Sequence, residues 1–69
     1  MDRLIVRSSN LLTAGYDAAA KVMEIEFQNG SVYQYFEVPE QVYQGLLTAE
    51  SKGQYLHDEV FNKFRFAEM

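Results

Sequence analysis

The clearest pattern in the chain is an alternation. Met23, Ile25 and Phe27 fall on one side, with Val22, Glu24 and Glu26 on the other, which predicts a half-buried strand from Lys21 to Phe27. Upstream, Leu11 to Tyr16 reads as a strand of imperfect alternation, in which Gly15 marks a weak point or a place where a neighbouring aromatic lies across the backbone. Asp17-Ala18-Ala19-Ala20 predicts the turn between these strands, because an Asp carboxylate accepts hydrogen bonds from amides just ahead of it. Asn29-Gly30 is a hairpin signal, and Ser31 to Val38, rich in Val, Tyr and Phe, predicts a third strand. Residues 1 to 10 are polar and short-ranged in pattern apart from Leu4-Ile5-Val6.

The hairpin has two possible registers. If Asn29 and Gly30 form a two-residue loop, Phe27 faces Val32 and Ile25 faces Gln34, which buries an amide and leaves Tyr33 and Tyr35 beside the carboxylates. If Gln28-Asn29-Gly30 is a three-residue loop with Gly30 left-handed in a bulge, Ile25 faces Tyr33, Met23 faces Tyr35 and Glu24 faces Gln34. The second register pairs like with like. It is preferred because an unsatisfied buried amide costs about 1–3 kcal/mol.

Pro39 suits the first position of a helix, and Val42, Tyr43, Leu46 and Leu47 form an apolar stripe, so a first helix is expected from about residue 39 to 49. Gly45 costs about 1 kcal/mol there relative to Ala, which marks close contact with another element or a partner. Ser51-Lys52-Gly53-Gln54 has the form of a capping box opening a second helix. Its stripe is Leu56, Val60 and Phe64 with Phe61 alongside, and Lys63 near its end favours the helix dipole. Three strands followed by two helices predict an α+β fold: a three-stranded antiparallel meander packed on two C-terminal helices.

Composition narrows the chemistry. With 69 residues and neither repeats nor linkers, the chain reads as a single domain, 1–69, with little slack for a large ligand cavity. The absence of cysteine excludes disulfides and thiolate metal sites, and one histidine excludes a His-based cluster. Leu4-Ile5-Val6 is too short for a signal-peptide core, and no run approaches the roughly 18 apolar residues of a membrane span, so cytoplasmic residence is expected. A net charge of −4 disfavours general binding to nucleic acid or anionic membranes while leaving room for a local basic patch.

Gly15-Tyr16-Asp17, then Phe27 to Phe36, then Val38-Pro39, and finally Ser51-Lys52-Gly53-Gln54-Tyr55 resemble the KTSC domain family. The resemblance covers the chain from about Ser8 to Phe66. That family is a short bacterial domain of unknown role, found alone and at the C-terminus of some lysyl-tRNA synthetases, with a central Tyr-x-Tyr motif. The resemblance assigns that motif to Tyr33 and Tyr35 and the segment opening the second helix to Ser51, Lys52, Gly53 and Tyr55. It implies RNA, especially tRNA, as a partner. Relatives often carry basic residues in the second helix, where this chain has Gln54, His57, Asp58 and Glu59.

Each candidate has a plainer reading. Tyr33 and Tyr35 could stack on unpaired bases, but the preferred register sends them into the core. His57 beside Asp58 and Glu59 reads as a surface residue rather than a general base, and Glu24 and Glu26 as the wet side of a strand rather than a cation site. The four glycines are too scattered to cradle phosphate. On the outer sheet face Val22, Val32, Phe36 and Val38 form an apolar patch, to be covered by Leu4 and Val6 crossing the sheet or by a partner. The leading reading is a non-catalytic binding module, not an enzyme, with no cofactor or metal. The alternative is a protein-interaction or homodimerisation module using the outer sheet face. Six basic residues among ten acidic ones leave two clusters, Arg3 with Arg7 and Lys63 with Arg65, with Lys52 near the second. RNA binding by the isolated domain is therefore expected to be weak, with a Kd above about 10 μM.

Overall fold

The computed structural model describes residues 1–8 and 10–69; Ser9, within the reach of the resemblance, lies outside the described residues. Five strands and two helices follow in the order β1 (Arg3–Ser8), β2 (Leu11–Asp17), β3 (Val22–Phe27), β4 (Val32–Tyr35), α1 (Glu40–Thr48), α2 (Lys52–Glu59) and β5 (Phe66–Glu68). The strands form one antiparallel sheet in the order β1-β2-β3-β4-β5. The α+β class and the two helices agree with expectation, but the sheet has five strands rather than three. β1 escapes the pattern because it is an edge strand whose Leu4 and Ile5 are both exposed, so only Val6 reaches the core. β5 is three residues long, too short to show a period, and is defined by its pairing with β4.

The β3–β4 hairpin takes the three-residue loop. The Phe27 amide donates to the Ser31 carbonyl (2.8 Å), the Gly30 amide donates to Phe27 (2.9 Å), and Gly30 has φ +94°. Met23 then faces Tyr35, Glu24 faces Gln34 and Ile25 faces Tyr33. At the β2–β3 turn Asp17 Oδ1 accepts from the amides of Ala19 (3.1 Å) and Ala20 (3.2 Å). Gly15 is covered by Asp2 and Arg3 rather than by an aromatic: a Cβ there would stand 2.7 Å from the Asp2 carbonyl oxygen and 2.8 Å from Arg3 Cγ.

One face of the sheet carries the rows Leu4–Ala14–Ile25–Tyr33–Glu68 and Tyr16–Met23–Tyr35–Phe66. The helices pack on this face, where Tyr43, Leu46, Leu56 and Val60 join Leu11, Ala14, Met23, Ile25 and Phe27 in the core. Pro39 is the cap of α1, with an extended ψ of 149°, rather than its first helical residue. α2 stops at Glu59, so Val60, Phe61, Lys63 and Phe64 lie beyond the helix and the dipole role of Lys63 is lost. The helix stops there because the Val60 and Phe61 amides both donate to the Leu56 carbonyl (2.9 Å each) and the chain turns, yet the stripe still buries: Leu56 and Val60 lie in the core, with Phe61 and Phe64 packed against it.

β4 ends at Tyr35 rather than Val38, because Glu37 takes a left-handed φ of +57° and redirects the chain. Val38 thereby enters the core instead of the outer face. The N-terminal segment does not cross the sheet either; β1 extends it. Arg3 does reach over the outer face, where Nε lies 3.3 Å from Glu24 and Nη1 3.6 Å from Glu26. Thr13 donates to Glu26 (3.1 Å) and Gln34 to Glu24 (2.8 Å), so polar pairs lace the middle of that face.

Candidate functional site

The helices leave the β4–β5 end of the inner face open. There an exposed cleft of about 500 Å³ has walls of Phe27, Tyr33, Tyr35, Phe61 and Phe66 and a rim of Asn10, Asn29, Ser31 and Asn62. The space is a surface cleft, which a small core tolerates where it could not hold an enclosed cavity of that size. Alternation places Tyr33 and Tyr35 on the same side of β4, with ring centroids 6.4 Å apart and planes 21° from parallel. The turn after α2 brings Phe61 to 6.2 Å from Tyr35, and β5 brings Phe66 within 5.8 Å of Tyr33 and 5.9 Å of Tyr35. Phe27 meets Tyr33 edge-on at 5.8 Å. The Gln28 amide donates to the Asn10 carbonyl (2.7 Å), tying Asn10 to the β3 end of the rim.

Tyr33 and Tyr35 play different parts. Tyr35 is 4% exposed, and burial, with a smaller contribution from Tyr33, pushes its hydroxyl up to about 12. Tyr33 is half-buried and donates a long hydrogen bond to Glu68 (3.5 Å). Tyr35 is the floor of the cleft and Tyr33 an accessible wall. Phe66, 56% exposed, forms another wall.

The other motif residues stand elsewhere, and none of Ser51, Lys52, Gly53 and Tyr55 lines the cleft. Ser51 Oγ accepts from the Gln54 amide (3.3 Å), but the Gln54 side chain donates onward to Asp58 (2.9 Å), so only half of the capping box forms. Lys52 Nζ donates to the Ala49 carbonyl (3.0 Å) at the end of α1. Gly53 lies in the first turn of α2. Tyr55 crosses α1 at Gly45, where a Cβ would collide with its ring and hydroxyl, and donates to the Val42 carbonyl (2.9 Å). Desolvation there, with Glu59 adding and Lys63 opposing, raises the Tyr55 pKa. The close contact expected at Gly45 is therefore internal.

Chemistry beyond the cleft is sparse. His57 is exposed and 3.4 Å from Asp58, whose carboxyl is held low by hydrogen bonds from Gln54 and His57. Among the described residues no group of three His, Cys, Asp or Glu side chains is placed to hold a metal ion. Among the described residues no helix is long and apolar enough to cross a membrane. Of the basic clusters, Arg3 is paired with Glu24 and Glu26, and Lys63 and Arg65, paired with Glu59 and Glu37 on the surface, line a second depression with Phe36 and Phe64. This depression shares Phe61, Asn62 and Phe66 with the cleft. Phe61, Asn62 and Phe66 were missed as site residues. They converge on Tyr33 and Tyr35 only once β5 returns to β4, which no local pattern signals.

Such a sheet, with two helices inserted between β4 and β5 and packed on one face, and with an open aromatic end, defines a small α+β domain. A family model for the KTSC domain matches residues 7–64, and the chain belongs to that family. A KTSC domain protein from Yersinia pestis, known as a crystal structure, superposes with a TM-score of 0.92 at 36% identity, over 99% of this chain and 96% of that one. A protein of Tsukamurella paurometabola is 42% identical over 60 residues, covering 87% of this chain and 90% of its own. A lysine–tRNA ligase of Trichormus variabilis is 41% identical over 54 residues, covering 78% of this chain and 10% of the ligase.

Proposed function

We propose that this domain is a non-catalytic RNA-binding module that holds an unpaired base in the aromatic cleft. The observation that carries the reading is the cleft itself: accessible aromatic walls at Tyr33 and Phe66 beside Asn10, Asn29 and Asn62, of which Asn29 already accepts from the Ser31 amide through Oδ1 (2.9 Å). Aromatic faces stack on any base, at about 1–3 kcal/mol each, and amides supply the donor–acceptor pairs that meet a base edge. The likeness to part of a lysine–tRNA ligase makes tRNA the natural RNA, and cytoplasmic residence fits that partner. Few contacts and a net charge of −4 keep the isolated affinity weak, with a Kd above about 10 μM. Attachment to a larger RNA-binding protein would raise its effective concentration.

Titration of the domain with bulk tRNA and a short single-stranded RNA, followed by tyrosine fluorescence, tests this. Weak saturable binding that is lost in Tyr33→Leu is expected. No binding at millimolar RNA would overturn the reading, and so would sub-micromolar affinity falling steeply with salt, which would mean a phosphate track rather than a base cleft. The alternative, a protein partner or second copy on the outer face, is favoured by Ile5, 78% exposed on edge strand β1. Sedimentation as a dimer that Ile5→Lys abolishes would support it.

A further inference from the structure

We infer that the depression beside the cleft is a phosphodiester subsite, in which Lys63 and Arg65 are held by carboxylates that a ligand phosphate displaces. The inference rests on the base-binding reading of the cleft and extends it from a base to a nucleotide chain. Continuity is the first observation. The two depressions share Phe61, Asn62 and Phe66, so a strand whose base enters the cleft reaches Lys63 and Arg65 across that boundary.

The second observation is how the two cations are held. Arg65 Nη2 donates to Glu37 Oε1 (3.0 Å), with its guanidinium carbon 6.0 Å from the centre of the Phe36 ring, and Lys63 Nζ donates to Glu59 Oε1 (3.3 Å). Both pairs are exposed, so water and salt already screen them and little is lost when they part. A phosphate offers several acceptor oxygens to the planar guanidinium and can replace a carboxylate that makes one contact. The ring beneath Arg65 limits its orientations before a ligand arrives. Glu37 is presented by its left-handed backbone, next to the bend that ends β4.

The third observation is that the other cations are committed or remote. Arg3 lies on Glu24 and Glu26, Lys52 donates to the Ala49 carbonyl, Arg7 is on edge strand β1, and Lys21 is in the β2–β3 turn. Lys63 and Arg65 therefore form the cationic pair next to the aromatic cleft. The resulting ligand is a short single strand with one base in the cleft and one or two phosphates beside it, and Glu37 and Glu59 act as internal competitors for those phosphates.

The test is an NMR titration of the whole chain with adenosine, the dinucleotide ApA, a single-stranded oligoadenylate and inorganic phosphate. It uses the wild type, Arg65→Gln and Glu37→Gln, all checked for unchanged melting. Oligoadenylate is expected to bind at least about fivefold more tightly than adenosine at low salt. Two phosphate contacts predict a slope of log K on log salt of about −1.4, which Arg65→Gln halves. Glu37→Gln should tighten oligoadenylate about twofold and leave adenosine unchanged. If adenosine binds in the cleft while both variants leave oligoadenylate affinity and its salt slope unchanged, the subsite is overturned and the base cleft stands. Inorganic phosphate binding as tightly as the oligonucleotide would also overturn the subsite, showing a simple anion site. If neither adenosine nor oligonucleotide binds, the cleft reading falls, and the subsite with it.

Discussion

Under the two helices, β2 and β3 present Ala14, Met23 and Ile25 to Leu46 and Leu56, all fully buried, whereas at the far end of the same sheet face β4 and β5 present a half-buried Tyr33 and an exposed Phe66. The first region is filled by aliphatic side chains of complementary volume that interdigitate and exclude water. The second is lined by rings at centroid spacings of about 6 Å that lean on one another but leave a slot between strand and turn. One sheet face is thus tightly packed at one end and open at the other. α2 ends at Glu59, and beyond it the Phe61 ring stacks on Tyr35 at the edge of the open end.

The sharpest way to break this contrast is to truncate one residue from each region. Leu46→Ala should cost about 2–5 kcal/mol in urea or thermal melts, as a fully buried leucine does, while Phe66→Ala should cost about 1 kcal/mol or less. Comparable losses would mean that the β4–β5 end is part of the core after all. Tyr35, at the boundary, should side with the core: Tyr35→Ala is expected to cost about 3–5 kcal/mol, and a loss under about 1 kcal/mol would contradict its burial. Its raised pKa gives the same residue a pH signature. The folded state holds the phenol proton more tightly than the unfolded chain, so the associated stability is complete below about pH 10 and is lost as pH rises toward about 12. Tyr35→Phe should flatten part of that alkaline loss.

Within the covered region, Gly45→Ala should cost about 1–3 kcal/mol, because the new methyl meets Tyr55. Pairing it with Tyr55→Leu should recover part of the loss; additive losses would show that the contact is not the cause. The smallest expected effect is at the cap. Ser51→Ala should cost about 1 kcal/mol and Ser51→Asp should be close to neutral, whereas equal losses would mean that the hydroxyl does more than cap.

The same contrast explains how much was legible beforehand. Met23, Ile25, Phe27 and the Asn29-Gly30 loop allowed two hairpin registers, and the one observed was preferred because the other would have buried Gln34. The stripe Tyr43-Leu46 and the Ser51 cap were readable for the same local reasons. β1 was not, since an exposed edge needs no alternation, and β5 was not, since its three residues become a strand only by pairing with β4. The cleft inherits that blindness: Tyr33 and Tyr35 were visible as a motif, but Phe61, Asn62 and Phe66 join them through long-range contacts. The segment Ser51 to Tyr55 carried an equally visible motif, and in the structure it fastens α1 to α2 rather than forming the cleft.

Binding of an unpaired base at the open aromatic end is tested by amide and aromatic NMR shifts on adding a short single-stranded RNA to the labelled domain. Shifts should cluster on Tyr33, Phe61, Asn62 and Phe66 and leave Leu46 and Leu56 unmoved. Shifts confined to Ile5 and the outer face around Val32, or none at saturating RNA, would contradict it.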